Sequence, residues 1–148
     1  MNLLTAEQDI IARLTTVFKD IDTPKNRSHP KIESFPRDPA QFYEALRPEG
    51  AILVRYESSI YEPPEPNRNK TIVQDRTASW IISIVHRGLI DHDGVYAKMA
   101  NVRTALTGYS LSDYAESTVL YPVSDRFVEE VGGVWHYEIV FQHTIPET

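Results

Sequence analysis

The sequence predicts an α+β fold, a mostly antiparallel sheet of about four to five strands with two long helices on one face. Three observations predict it. Apolar residues recur at helical spacing in two separate segments, and most other apolar segments alternate with polar residues as strands do. The strand-like segments form two pairs that flank the second helical segment, which favours hairpins over parallel crossovers. One of these pairs is an extended β-hairpin, longer than a small core covers.

Two segments have the pattern of long helices. The first is predicted over 6–20, where Thr5 stands at capping-box spacing from a glutamine and apolar residues recur every three or four positions. The second is predicted to begin at Asp93, a suitable N-cap, and to stop at Gly108. Its apolar stripe consists of Val95, Met99, Val102 and Leu106.

Two short elements are predicted between the first helix and the hairpin. Residues 31–35 alternate like an edge strand, which Pro36 ends because proline donates no N–H to a sheet. Asp38 and Pro39 then suit the N-cap and the first position of a short helix over 40–46.

The hairpin is predicted to have arms at 51–56 and 71–87, joined by a polar, proline-rich tip at 57–70. Its second arm carries a core row on one face (Ala78, Trp80, Ile82, Ile84) and polar residues on the other (Thr77, Ser79, Ser83). This alternation predicts a sheet packed mainly on one side. Residues 74–76 break the pattern and are predicted to leave backbone groups free to pair with another chain.

Two further strands are predicted at 117–124 and 131–145, with a connection over 125–133 that ends in two glycines. In the last strand, the inward row is predicted to be Trp135, Tyr137, Ile139 and Phe141, and the outward row His136, Glu138 and Gln142. The elements therefore alternate between helices and strands, with both hairpins contributing to one sheet.

Composition restricts the class of protein. The 148 residues predict a single domain over 1–148, and 41% hydrophobic with 24% charged residues is typical of a globular chain. A net charge of -6 disfavours binding to duplex nucleic acid, because such binding relies on clustered lysine and arginine residues. The absence of cysteine excludes disulfides and thiolate metal sites. The N-terminus has no secretion-signal pattern and no apolar run is long enough to span a membrane, so we expect a soluble, intracellular protein.

Candidate reactive residues form no catalytic or metal-binding motif. The five histidines, His29, His86, His92, His136 and His143, lack paired spacing and are expected at the surface or at strand ends. Residues 91–94 are expected to form a turn and a helix cap rather than a calcium loop, because no further acidic ligands follow. No serine lies in a nucleophile elbow, and the six glycines make no phosphate loop. No catalytic residue, metal or cofactor is predicted.

Charged and aromatic residues along the hairpin are candidates for contact with a neighbouring chain, because tyrosine is enriched in interface cores and exposed charges select partners. The candidate set is Tyr56, Tyr61, Arg68, Lys70, Asp75, Arg76 and Arg87. The tyrosines equally suit packing on their own core.

Five segments carry a resemblance to a known family: residues 9–14, GAILVRYE from Gly50, WIISIVHRGL from Trp80, VYAKMANVRTALTGY from Val95, and YPVSDRFVEE followed by WHYEIVFQHT. In this order they resemble the tail-terminator (tail-completion) proteins of Mu-like tailed phages. The resemblance covers almost the whole chain and lies in apolar spacing with a few favoured residues. The proline-rich tip is longer than expected of that family.

The resemblance implies a structural role in the neck of a phage tail. It implies a hexameric ring of this protein that caps the tail tube, stops its polymerisation and presents a surface to the head–tail connector, with sheath protein as a further neighbour. DNA would pass through the ring without specific recognition. It also implies no catalysis, no cofactor and no membrane, and a virion location after assembly in the host cytoplasm.

Two alternatives stay open from the sequence. One is another neck component, a head–tail stopper. The other is a small α+β hydrolase or ligand-binding domain that uses His86 or His136 beside acidic residues.

Overall fold

The computed structural model describes residues 3–20, 30–36, 50–64, 74–87, 93–111 and 119–145. Its elements are α1 (Leu3–Asp20), β1 (Lys31–Ser34), β2 (Ala51–Tyr61), β3 (Arg76–Arg87), α2 (Asp93–Leu106), β4 (Tyr121–Val131) and β5 (Val134–Ile145). The strands form one five-stranded sheet in the order β1-β2-β3-β5-β4. Every neighbouring pair is antiparallel except β1 with β2. The predicted fold class is confirmed.

The pairing of β3 with β5 forms the centre of the sheet. It runs without interruption from Arg76 opposite Ile145 to Arg87 opposite Val134. On one face the predicted core rows meet directly: Trp80 opposite Phe141, Ile82 opposite Ile139, and Ile84 opposite Tyr137. All six side chains are buried. We call this side of the sheet the helix face.

Both helices pack on the helix face. The core there combines α1 residues Ala6, Ile10, Leu14 and Phe18 with α2 residues Val95, Met99, Val102, Ala105 and Leu106. Polar contacts also join α1 to α2 and to the residues that follow α2. Arg13 Nε donates to the Ala105 carbonyl at 3.0 Å, and the Tyr109 hydroxyl donates to Asp9 Oδ1 at 2.9 Å. Neither helix of the described structure is long and apolar enough to span a membrane.

The opposite side of the sheet, which we call the second face, is also buried near its centre. Ala51, Leu53 and Val85 are at most 1% exposed, and Ser83 is completely buried. The half-buried Phe35 packs against this apolar group. The main core lies on the helix face, as expected of a sheet packed mainly on one side. The second face carries a smaller apolar patch, which the neighbours of β3 mainly supply.

Near the C-terminus, the bounds of strand β4 differ from those predicted. Residues 125–131, predicted to be a connection, belong to β4, and the turn to β5 is only Gly132 and Gly133. These glycines have φ of 58° and 82°, the positive values that a two-residue hairpin turn requires. Pairing of β4 with β5 skips Val123 and Val128, so two β-bulges interrupt the alternation from which strands are predicted.

The long hairpin has strands that differ from the predicted arms. β2 continues to Tyr61, and β3 begins at Arg76. The backbone of Arg76 pairs with Tyr61 on one side and Ile145 on the other, so the prediction that it is free for another chain is wrong. The Asp75 carbonyl accepts a further bond from the Glu62 N–H at 2.9 Å. The predicted short helix over 40–46 and the tip residues 65–70 lie outside the described residues.

A matched pair of leucines in α1 tests the helix–sheet packing. Leu14 is fully buried, whereas Leu4 is 60% exposed. We expect Leu14→Ala to lower the free energy of unfolding by about 3 kcal/mol, because it removes buried methyl groups and leaves a cavity. Leu4→Ala should change it by less than about 0.5 kcal/mol. Urea denaturation of both variants measures the difference, and equal losses would contradict the described orientation of α1.

Candidate functional site

β4 forms one edge of the sheet, and all eleven of its residues are exposed. Its outer backbone edge has no partner strand among the described residues. Five of its residues are large and apolar, with exposed fractions from 36% to 59%: Tyr121, Val123, Phe127, Val128 and Val131. An uncovered strand that displays apolar side chains is suited to association with another chain.

A groove of about 360 Å³ lies between α2 and β4. Its aromatic wall is formed by Tyr96, Phe127 and Tyr137, with Phe127 and Tyr137 packed edge to face at 5.3 Å. Burial raises the pKa of Tyr137, and a hydrogen bond with Tyr96 raises it further. An ion pair at 3.7 Å between Arg103 and Asp125 lies at the groove, with both side chains about half exposed.

β2 has a second open edge, on the opposite side of the sheet from β4. The short β1 pairs only with the first four residues of β2, Ala51–Val54. Beyond a bulge at Glu57, the segment Ser58–Tyr61 pairs with β3 on its inner side, and no described strand covers its outer side. Ile60 and Tyr61 in this segment are 63% and 50% exposed.

The predicted contact residues of the hairpin are only partly brought together. The Arg76 guanidinium lies 5.4 Å from the centre of the Tyr61 ring, and its Nε donates to Ser59 Oγ at 2.9 Å. Tyr56 instead packs inward, edge to face against Trp80 at 5.5 Å.

The remaining candidates do not join this group. Asp75 and Arg87 are exposed at opposite ends of β3. Arg68 and Lys70 lie outside the described residues.

A buried carboxylate joins three strands across the second face. Glu138 in β5 is 4% exposed and accepts hydrogen bonds from Arg126 in β4, at 3.0 and 3.2 Å. Arg55 in β2 reaches the other carboxylate oxygen at 3.4 Å. His136 lies 3.9 Å from Glu138, and its burial lowers its pKa while the carboxylate opposes that shift. The arrangement balances one buried negative charge with two guanidinium groups.

The histidines occupy separate environments. His86 Nδ1 lies 2.9 Å from Lys98 Nζ, and His143 Nε2 accepts a hydrogen bond from Trp80 Nε1 at 3.3 Å. His136 and His143 are 5% and 0% exposed, so the expectation that they are surface or strand-end residues is wrong. Across the described segments, no three histidine or acidic side chains form a group that could hold a metal ion.

The apolar residues of β4 are the functional candidates that sequence reasoning missed. Val123, Phe127 and Val128 were visible as apolar residues, but the two bulges and the acidic residues between them hid the strand. The only sequence signal for the edge was the Gly132–Gly133 turn, which fixes where β4 ends.

The fold and its surfaces define a class of protein, a small α+β protein with one sheet whose two edges are left partly uncovered by the described strands. A family model described as Gp37 protein matches residues 10–147, and the chain belongs to this family. It is therefore a phage-related protein. No curated protein matches the sequence.

The buried His143 predicts a specific pH dependence of stability. Burial, with a smaller effect of Arg76, lowers its pKa from 6.5 to about 4. Since the unfolded chain binds this proton more readily, the stability due to neutral His143 is complete above pH 6.5 and falls as the pH drops towards about 4. We expect a loss of up to about 3 kcal/mol across this range.

His143→Gln provides the control, because the amide retains an acceptor for Trp80 and does not titrate. The difference between the unfolding free energies of the two proteins, measured from pH 7 to pH 4, should change with pH in that window. A difference that stays constant would contradict the assignment to His143.

Proposed function

We propose that this phage-related protein is a tail terminator, a structural protein that forms a ring on the end of the tail tube and stops its polymerisation. The observation that carries the proposal is the pair of open edges on opposite sides of one sheet, Ser58–Tyr61 and β4. Contacts between unlike surfaces of identical copies repeat around an axis and close into a ring when the rotation fits. The sequence resemblance to tail terminators supports six copies.

The proposed partners are further copies of the chain, the tail tube protein, sheath protein and the head–tail connector. In the proposal DNA passes through the ring without base-specific contacts, in keeping with the net charge of -6. The proposal includes no catalysis and no cofactor. The groove between α2 and β4 contributes aromatic contact area, which suits an interface core.

A second structural candidate is a head–tail stopper, which the same open edges support. Binding to tube ends favours the terminator, and binding to portal complexes favours the stopper. The hydrolase alternative lacks comparable support, because His86 and His136 lie on opposite faces of the sheet and neither lines the described groove.

The function is tested with the purified protein and the tube protein of the same phage. We expect light scattering to give the mass of a closed oligomer, electron micrographs to show rings with a central hole, and substoichiometric amounts of the protein to shorten growing tubes. A monomeric mass at all micromolar concentrations, together with unchanged tube length, would overturn the proposal.

A charge placed on the β4 edge should weaken assembly. Val123 is 50% exposed at a bulge, and Val123→Asp puts a desolvated carboxylate into the proposed interface. We expect at least a tenfold rise in the concentration at which rings dissociate, measured by light scattering. The matched control is Leu4→Asp, which adds the same charge at a 60% exposed position on α1. Equal effects of the two substitutions would argue against β4 as the contact.

A further inference from the structure

We infer that the segment 60–64 of one copy docks into the groove between α2 and β4 of the next copy. We call this segment the proline arm, because Ile60 and Tyr61 end β2 and are followed by Glu62, Pro63 and Pro64. The inference rests on the proposed ring and identifies the two unlike surfaces that form its repeating contact.

The proline arm extends past the end of the sheet. β5 ends at Ile145, which pairs with Arg76 and is therefore level with Tyr61. All five residues of the arm are exposed, with Ile60 at 63% and Tyr61 at 50%. An exposed apolar segment at the end of a strand is suited to contact with another chain.

The two prolines hold the arm in one conformation. Proline fixes its own φ near -65°, and the residue before a proline is restricted to extended conformations. Glu62 and Pro63 each precede a proline, so this part of the arm favours an extended, polyproline-like backbone. Such a segment loses little conformational entropy on binding, and the sites that bind proline-rich segments are grooves lined by aromatic rings.

The groove between α2 and β4 has this kind of lining. Tyr96 and Phe127 are 52% and 50% exposed, and together with Tyr137 they form its aromatic wall. Met99 adds a further apolar contact. The volume of about 360 Å³ lies within the range of pockets that hold ligands. The groove therefore matches the arm in chemistry.

The arm cannot reach the groove of its own copy. Tyr137 lies eight residues before Ile145 in β5, which is about 26 Å below the level at which the arm begins. Since β2 runs from the level of His136 towards that of Ile145, the arm leaves the sheet in the direction away from the groove. The occupant must come from another copy, and a contact between unlike surfaces repeats around an axis, as a ring requires.

The charges of the two surfaces are opposite once the existing ion pairs are counted. The ion pair at the groove between α2 and β4 is neutral. Arg126, which also lines the groove, shares the single charge of Glu138 with Arg55, so one positive charge remains in excess. The side chain of Arg126 is 70% exposed, and the arm contributes the exposed Glu62. This attraction orients the arm, whereas the aromatic contacts supply most of the affinity.

Substitutions in the arm and in the groove test the contact in the full chain. The arm variant is Pro63→Gly with Pro64→Gly, which removes both proline rings and frees the backbone. The groove variant is Phe127→Asp, which places a charge in the aromatic wall. Tyr96→Ser is a second groove variant on α2, for the case that Phe127→Asp weakens the packing of Phe127 against Trp135.

The matched control is Val131→Asp. Val131 is 59% exposed on the same strand as Phe127 but does not line the groove. Circular dichroism and urea denaturation establish that each variant is folded. We expect the arm variant and the groove variants to raise the concentration at which rings dissociate at least tenfold, measured by light scattering, and the control to change it by less than about twofold.

Mixing the arm variant with a groove variant tests whether the contact joins unlike surfaces. The arm variant keeps an intact groove, and the groove variant keeps an intact arm, so one contact can form between them. At concentrations at which each variant alone is monomeric, we expect the equimolar mixture to give a complex of two chains that grows no further.

The outcomes separate this inference from the proposed function. Rings that survive the arm and groove substitutions, a mixture that stays monomeric at the highest soluble concentration, or an equal loss of rings with Val131→Asp would each overturn the inference and leave the proposed function standing. Groove variants that form rings but no longer shorten growing tubes would assign the groove to the tube protein and also overturn it. An unsubstituted protein that is monomeric at all micromolar concentrations, with unchanged tube length, would overturn both.

Discussion

The uninterrupted pairing of β3 with β5 is the constraint on which the rest of the structure depends. Its register decides which residues meet the helices, because a slip of one residue would turn the buried row of one of the two strands to the opposite face. It places the row from Trp80 to Ile84 under α1 and α2, and it leaves Glu138 and Ser83 on the second face. It also sets the positions of β2 and β4 along the strand direction, because these strands pair with the outer sides of β3 and β5.

The sequence predicted secondary structure correctly where the spacing of apolar residues stayed regular along the whole element. Both helices and the inward rows of β3 and β5 follow from such patterns, and their burial confirms them. β4 did not follow, because bulges at Val123 and Val128 change the period twice within eleven residues. The open edge of β2 depends on where β1 stops, a property of the sheet that no single segment displays. The sequence therefore directed the candidate contacts to the hairpin and gave no indication of the exposed strand β4.

The buried charges of the second face show another limit of sequence reasoning. Glu138 alternates with apolar residues and was predicted to point outward, which it does, but its side chain is 4% exposed. Its burial is tolerable only because Arg55 and Arg126 approach from two other strands, far apart in the sequence. Removing either arginine would leave a charge that the remaining contacts balance less well. The cluster therefore links the orientation of β4 to that of β2.

Open strand edges carry a risk of unlimited association, and several features of the described sheet limit this risk. Pro122 removes a donor from the β4 edge, and the bulges restrict its regular backbone to four residues, Ser124–Phe127. β1 covers the lower part of β2, so only the segment after Glu57 is available. The described sheet thus leaves only two short segments of regular backbone uncovered, one in β2 and one in β4, and this limits the length over which another strand can pair with either edge.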